Sequence, residues 1–168
     1  MKDLVKSKYY KPVACGVLTA IVTVATMFLS IPIPGFSGAY MNAGDAAVYL
    51  CAYMIGGWWG AACAGIGSAL ADVLLGAMVY APATLIIKGC MALIAFMIMK
   101  RFNGKAKFAA LPLAGLIMPL GYFIYETMIA GAATAAVGIP FNLIQYACGV
   151  ILGSLSVIGI RKALKIEM

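Results

Sequence analysis

The chain has 168 residues, 65% of them hydrophobic and 10% charged, with 12 lysines and arginines against 5 aspartates and glutamates, a net charge of +7. A soluble domain carries about 25% charged residues, so water is excluded as the main solvent and the chain reads as an integral membrane protein. At roughly 20 apolar residues per spanning helix, residues 1–168 hold five or six spans in one transmembrane domain, and no length remains for a separate soluble enzyme.

Histidine is absent and the five cysteines (Cys15, Cys51, Cys63, Cys90 and Cys148) show no CxxC pair. No metal site and no cofactor are expected, and the cysteines read as small apolar packing residues. In so hydrophobic a chain the positive charge marks cytoplasmic loops rather than nucleic-acid binding. The first apolar stretch is longer than a signal-peptide core and reads as a retained helix.

In chain order, a basic lead precedes helix 1 (12–31). The run Ile-Pro-Ile-Pro-Gly-Phe-Ser-Gly at 31–38 then breaks the helix, because Pro and Gly do not continue it. Helix 2 starts near 42–45 and ends at 56–57, short for a full span. Asp45 or Asn42 at its start suits a cap and the helix dipole. Trp58 and Trp59 suit a water–lipid interface. Helix 3 (59–75) carries Gly60, Ala64, Gly67, Ser68 and Ala71 at spacings of three and four, a stripe that lets helices approach closely in lipid. Helix 4 covers 82–99 and helix 5 covers 108–132, with bends at Pro112 and Pro119. Helix 6 covers 140–160.

Eleven of the twelve Lys and Arg residues fall before helix 1, between helices 4 and 5, or after helix 6. Six spans put those three regions on one side, and the positive-inside rule makes that side cytoplasmic. The expected fold is therefore an all-α bundle of six transmembrane helices with both termini cytoplasmic. In that threading Asp45, Asp72, Lys88 and Glu126 all fall in the outer half.

A charge within the membrane costs about 2.5–3.5 kcal/mol even on the lenient insertion scale, so these groups are expected to face inward, either as an internal ion-pair network or around a pocket open to the outside. Three carboxylates against one ammonium leave acceptors to spare. Tyr122, Tyr125 and Glu126 share one helical face, as do Asn142, Gln145, Tyr146 and Gly149. An aromatic, hydrogen-bonding pocket suits a flat heterocycle.

The motifs Tyr-Met-Asn-Ala-Gly-Asp (40–45), Gly-Gly-Trp-Trp-Gly (56–60), Gly-Ile-Gly-Ser-Ala-Leu-Ala-Asp (65–72) and Tyr-Ala-Pro-Ala-Thr-Leu-Ile-Ile-Lys-Gly (80–89), with six helices and a Pro/Gly-rich first loop, together resemble the S-components of energy-coupling factor (ECF) vitamin transporters. The resemblance is to the branch with riboflavin, hydroxymethylpyrimidine and pyridoxine-type members, and it covers nearly the whole chain.

It implies a multi-pass subunit of the bacterial cytoplasmic membrane that binds a small aromatic vitamin outside and works with a transmembrane T-component and two cytoplasmic ATPases. Within the lipid bilayer it would topple to release substrate inward. The 31–41 loop would be a lid, and Gly16 and Ala20 a small-residue surface for the T-component. No GxxxxGK[ST] motif is present, so ATP hydrolysis belongs to another chain.

The expected substrate-binding set is Tyr40, Asn42, Asp45, Asp72, Lys88, Tyr122, Glu126, Asn142, Gln145 and Tyr146. Pyridoxine-type or hydroxymethylpyrimidine substrates lead and riboflavin follows. With no arginine in the outer half, a substrate held by its carboxylate is disfavoured. Two readings from other classes are an intramembrane enzyme using Asp72 and Glu126 as acid and base, and a structural subunit whose charges pair internally.

Overall fold

In a bilayer every backbone N–H and C=O needs an internal partner, and helices supply one within each segment. The computed structural model describes residues 9–28, 30–33, 39–102 and 104–164. Among them, α1 spans Tyr10–Phe28, α2 Asp45–Met54, α3 Gly57–Leu74, α4 Ala81–Arg101, α5 Ala110–Gly115, α6 Ile117–Ala130 and α7 Ala132–Leu164. A 3-10 segment, Gly104–Ala109, leads into α5.

The architecture is all-α, with one addition. Between α1 and α2 lies a two-stranded antiparallel ribbon, β1 (Ser30–Pro32) pairing with β2 (Tyr40–Asn42), with Ile31 opposite Met41. A loop was expected there. Pro32 sits in a strand of a two-stranded ribbon, where a missing N–H can face away from the partner strand. The tip of the expected lid, 34–38, lies outside the described residues.

Among the described residues, four segments are long and apolar enough to cross a membrane: Tyr10–Phe28, Ala81–Arg101, Lys107–Ala130 and Ala132–Ala163. The ten residues of α2 reach only about 15 Å at ~1.5 Å per residue. The glycine-rich α3, with Asp72 near its end, is not among the four. Two of the six expected spans are thus shorter or more polar than a simple span.

Helix α3 packs against α1, α2 and α4. A methyl added at Gly60 would stand 2.7 Å from the Cys51 carbonyl oxygen, one at Gly65 2.5 Å from that of Leu85, and one at Gly67 2.7 Å from that of Thr19. Three glycines therefore set three interhelical distances. Gly60, Ala64, Gly67, Ser68 and Ala71 are all buried, and Gly65 belongs with them although the sequence reading passed over it. The close α1–α3 crossing also brings Cys15 and Cys63 together, with Cα atoms 5.5 Å apart, as a disulfide. That corrects the expectation of five inert cysteines. Cys51 is buried, and Cys90 and Cys148 are exposed on the outside of the bundle.

The last two helices differ from expectation at their junction. They meet at Gly131, which adopts φ 84, and α7 begins eight residues before Pro140, which lies inside it. The alanine-rich run before Pro140 is helix-forming, and proline is tolerated inside membrane helices. Span five breaks at Leu116, between α5 and α6, rather than at a proline. There the Leu116 N–H turns to the Ala114 carbonyl, and the Pro112 carbonyl is taken up by the Tyr146 hydroxyl at 3.1 Å. The Tyr49 hydroxyl donates to the neighbouring Leu111 carbonyl at 2.7 Å.

Candidate functional site

The buried polar groups gather at the ribbon end of the bundle. Asp45, the first residue of α2, and Lys88, in the second turn of α4, are 1% and 2% exposed and form an ion pair. Gln145 on α7 adds a bond from Nε2 to the other Asp45 oxygen at 3.3 Å. Its Oε1 accepts the Asn42 backbone N–H at 2.9 Å, which ties the ribbon to α7. The Asn42 side-chain oxygen accepts the Gly44 N–H at 2.9 Å. Asn42 thus orders the turn into α2, while the Asp45 carboxylate is spent on Lys88 and Gln145. Gly149 on α7 makes room for this, since a methyl there would lie 2.7 Å from the Asp45 Cβ.

Two further carboxylates stand apart from that pair. Asp72 on α3 accepts the Tyr40 hydroxyl from β2 on one oxygen, and its Oδ2 has no partner among the described residues. Burial, then the bond to Asp72, push the Tyr40 hydroxyl above its usual range, so the phenol stays protonated and donates. Glu126 on α6 is 3% exposed and its buried Oε2 has no partner among the described residues. Gly138 on α7 gives this oxygen its space, a methyl there falling 2.8 Å away. The Thr26 hydroxyl, at the end of α1, is likewise buried and unpartnered. Unmade hydrogen bonds on buried groups cost about 1–3 kcal/mol each, and these three polar groups face one another across a single cavity.

These groups surround one cavity, with about 430 Å³ of space between its walls counting the part open to solvent. Its wall includes Tyr40, Asn42, Asp72, Lys88, Tyr122, Glu126, Asn142 and Gln145 from the expected set. Asp45 stands one bond behind the wall, through Lys88. Tyr146 lies off it, its hydroxyl held by Pro112. Thr26, Ile33, Ala39, Ser68, Tyr80 and Thr84 also line the cavity and were not anticipated. Their signal was available in part: Tyr80, Thr84 and Lys88 recur every four residues on one face of α4, and Ser68 and Asp72 do the same on α3.

Aromatic rings gather on the ribbon side of the cavity. Tyr80 stacks edge-on against Tyr125, with ring centroids 5.8 Å apart, and tilts against Tyr122 at 6.4 Å. The Lys88 ammonium lies 5.7 Å from the Tyr122 ring centre, and the Tyr122 and Thr84 hydroxyls are 2.9 Å apart. Ile33 and Ala39, flanking the ribbon strands, pack on Tyr80. Away from this site, Gly16 and Ala20 are both exposed on α1, and a methyl at Gly16 would meet open space.

A helical membrane bundle with a buried polar cavity under a ribbon has the build of a solute-handling membrane protein. The family described as ECF-type riboflavin transporter, S component, matches residues 6–162, and the chain belongs to that family. It is 35% identical over 133 residues to an uncharacterised protein of Pyrococcus woesei, covering 79% of this chain and 88% of that one. It is 26% identical over 152 residues to the thiamine precursor transporter HmpT of Lactococcus lactis subsp. cremoris (strain MG1363), covering 90% of this chain and 88% of that one. A solved S component of a bacterial ECF transporter superposes with a TM-score of 0.73 at 21% identity, covering 95% and 98% of the two chains. The fold is that of an S component.

Proposed function

We propose that the chain captures a small single-ring aromatic vitamin or precursor, of the hydroxymethylpyrimidine or pyridoxine type, from the outer face of the cytoplasmic membrane. It delivers the substrate inward with a transmembrane T-component and two ATPase subunits, and it catalyses no reaction of its own. The termini and the basic end face the cytoplasm, as the positive-inside rule requires.

The observation that carries this reading is the pair of unpartnered carboxylate oxygens, Asp72 Oδ2 and Glu126 Oε2, in one cavity. The single cation of the wall is already matched by Asp45. The two free carboxylate oxygens are acceptors, and they call for a ligand rich in O–H or N–H donors. A ligand with a carboxylate or phosphate would meet two negative groups and no spare cation. Tyr80 and Tyr122 offer ring faces for a flat heterocycle. The similarity to HmpT, a thiamine precursor transporter, points the same way.

Riboflavin is the second reading, favoured by the description of the matching family. The test is to denature the purified protein and identify the released small molecule by mass spectrometry. A single-ring hydroxylated or aminated heterocycle supports the first reading. A flavin establishes the second, and the absence of any vitamin from protein that also binds none when supplied returns the charges to a structural role.

A further inference from the structure

A second cavity, with about 390 Å³ of space between its walls counting the part open to solvent, opens at the opposite end of the bundle, lined by Tyr53, Met99, Lys107, Phe108, Leu111, Val157 and Arg161. Four parts of the chain meet there: the ends of α2, α4 and α7 and the start of span five. All of them lie at the basic end of the bundle, opposite the ribbon.

The chemistry of this cavity differs from that of the first. Its two charged groups are both cations, Lys107 being half-buried and Arg161 exposed at the rim. No ion pair to either occurs among the described residues. The Tyr53 hydroxyl is buried with no hydrogen-bond partner among the described residues. Met99, Phe108, Leu111 and Val157 make the rest apolar. Val157 and Arg161 are one turn apart on α7, so the apolar wall and the cationic rim are continuous on one helix face.

An ammonium, a guanidinium and a phenol O–H can all donate, and no carboxylate is among the lining groups. A phosphate oxyanion is the group such a set satisfies, because guanidinium binds it in a fork and both cations neutralise its charge. The apolar wall next to the cations suits the glycerol and first acyl carbons beneath a headgroup. Basic pockets between helices at the cytoplasmic face of membrane proteins bind anionic headgroups on these grounds.

We propose that this cavity is a binding site for the phosphate headgroup of an anionic phospholipid, held by Lys107, Arg161 and the Tyr53 hydroxyl. The site is independent of the vitamin cavity and of its substrate. A lipid bound there ties α2, α4, α7 and the start of span five together from the cytoplasmic leaflet.

The test uses the full-length protein in detergent, examined by native mass spectrometry with added phosphatidylglycerol or phosphatidylcholine of the same acyl chains. Wild type should retain phosphatidylglycerol at least tenfold better than phosphatidylcholine. Lys107→Gln/Arg161→Gln should lose that preference, and Tyr53→Phe should weaken it with the fold intact. Lys100→Gln/Lys162→Gln, which removes the same charge from the same end outside the cavity, should keep it.

Equal loss in both double variants would reduce the effect to general surface charge and overturn the site. Failure of wild type to retain the lipid would overturn it as well. Inorganic phosphate provides the last arm. Its binding to wild type and not to Lys107→Gln/Arg161→Gln, with no lipid retained, would overturn the lipid source and assign the same donors to a soluble phosphate.

Discussion

Lys88 on α4 is committed to Asp45 on α2, and this leaves the Asp72 and Glu126 carboxylates without a cation of their own in the same cavity. The consequence is a division of labour among the charges. One pair fastens helices together, and two carboxylates are left for the ligand proposed above. Removing one member of the fastened pair should act on stability first.

Lys88→Met strands the Asp45 carboxylate, which is 1% exposed. Breaking a buried pair from one side costs about 3–5 kcal/mol, so the variant should unfold in detergent at a markedly lower temperature than wild type. Lys88→Met/Asp45→Asn removes both charges and should recover much of the loss. A thermal melt of the single and double variants checks this. Equal destabilisation in both would mean that the pair is not what holds α2 to α4.

The ribbon should report on retention. Tyr40→Phe removes the one bond that Asp72 receives from β2 and keeps the ring. A lost hydrogen bond to a charged group is worth about 1.5–3 kcal/mol, so bound vitamin should dissociate roughly tenfold faster or more, with association little changed. Stopped-flow quenching of the protein's tryptophan and tyrosine fluorescence measures both rates. A change confined to the association rate would mean that Tyr40 guides entry rather than closing the site.

Much of this was legible in the sequence because a membrane makes polar residues expensive. Asp72, Lys88 and Glu126 stood out against apolar runs, and depth alone placed them at one level. Asn142 and Gln145 followed from their spacing on one helix. The small-residue stripe of α3 was legible for the same reason, since close packing selects glycine and alanine.

Other features were hidden because they depend on tertiary partners. Nothing local distinguishes Tyr146, which serves a carbonyl freed at the 116 break, from Tyr122, which lines the cavity. The ribbon was hidden behind prolines that read only as helix breakers. The Cys15–Cys63 pairing needs the α1–α3 crossing, and a separation of 48 residues gives no hint of it. The start of α7 was misplaced because Pro140 looks like a helix N-terminus and Gly131 was not recognised as the whole turn.

The exposed small residues of α1 should separate uptake from binding. Gly16→Leu projects a side chain into open space, and Ala20→Leu does the same one turn on, so neither should disturb the isolated subunit. If this face docks the T-component by close packing, both variants should fail in cellular uptake while the purified proteins bind vitamin normally. Gly67→Leu is the contrast, because its side chain meets the Thr19 carbonyl and Val22 and should impair folding. Loss of binding in Gly16→Leu equal to its loss of uptake would assign that face to the internal fold.

Orientation is open to a direct check. Single cysteines at Lys105 and Lys162 in a cysteine-free background should resist a membrane-impermeant thiol reagent in intact cells, and one at Gly35 should react. Labelling of Lys105→Cys from outside would reverse or break the six-span topology.

The central claim is that Asp72 and Glu126 hold a donor-rich heterocycle. Isothermal titration of detergent-purified wild type, Glu126→Gln and Asn142→Ala with hydroxymethylpyrimidine, pyridoxine and riboflavin tests it most directly. The account predicts that wild type prefers a single-ring ligand and that each variant binds that ligand at least tenfold more weakly, about 1.4 kcal/mol, with an unchanged thermal melt. Unchanged affinity in both folded variants would contradict it and place the site away from these residues.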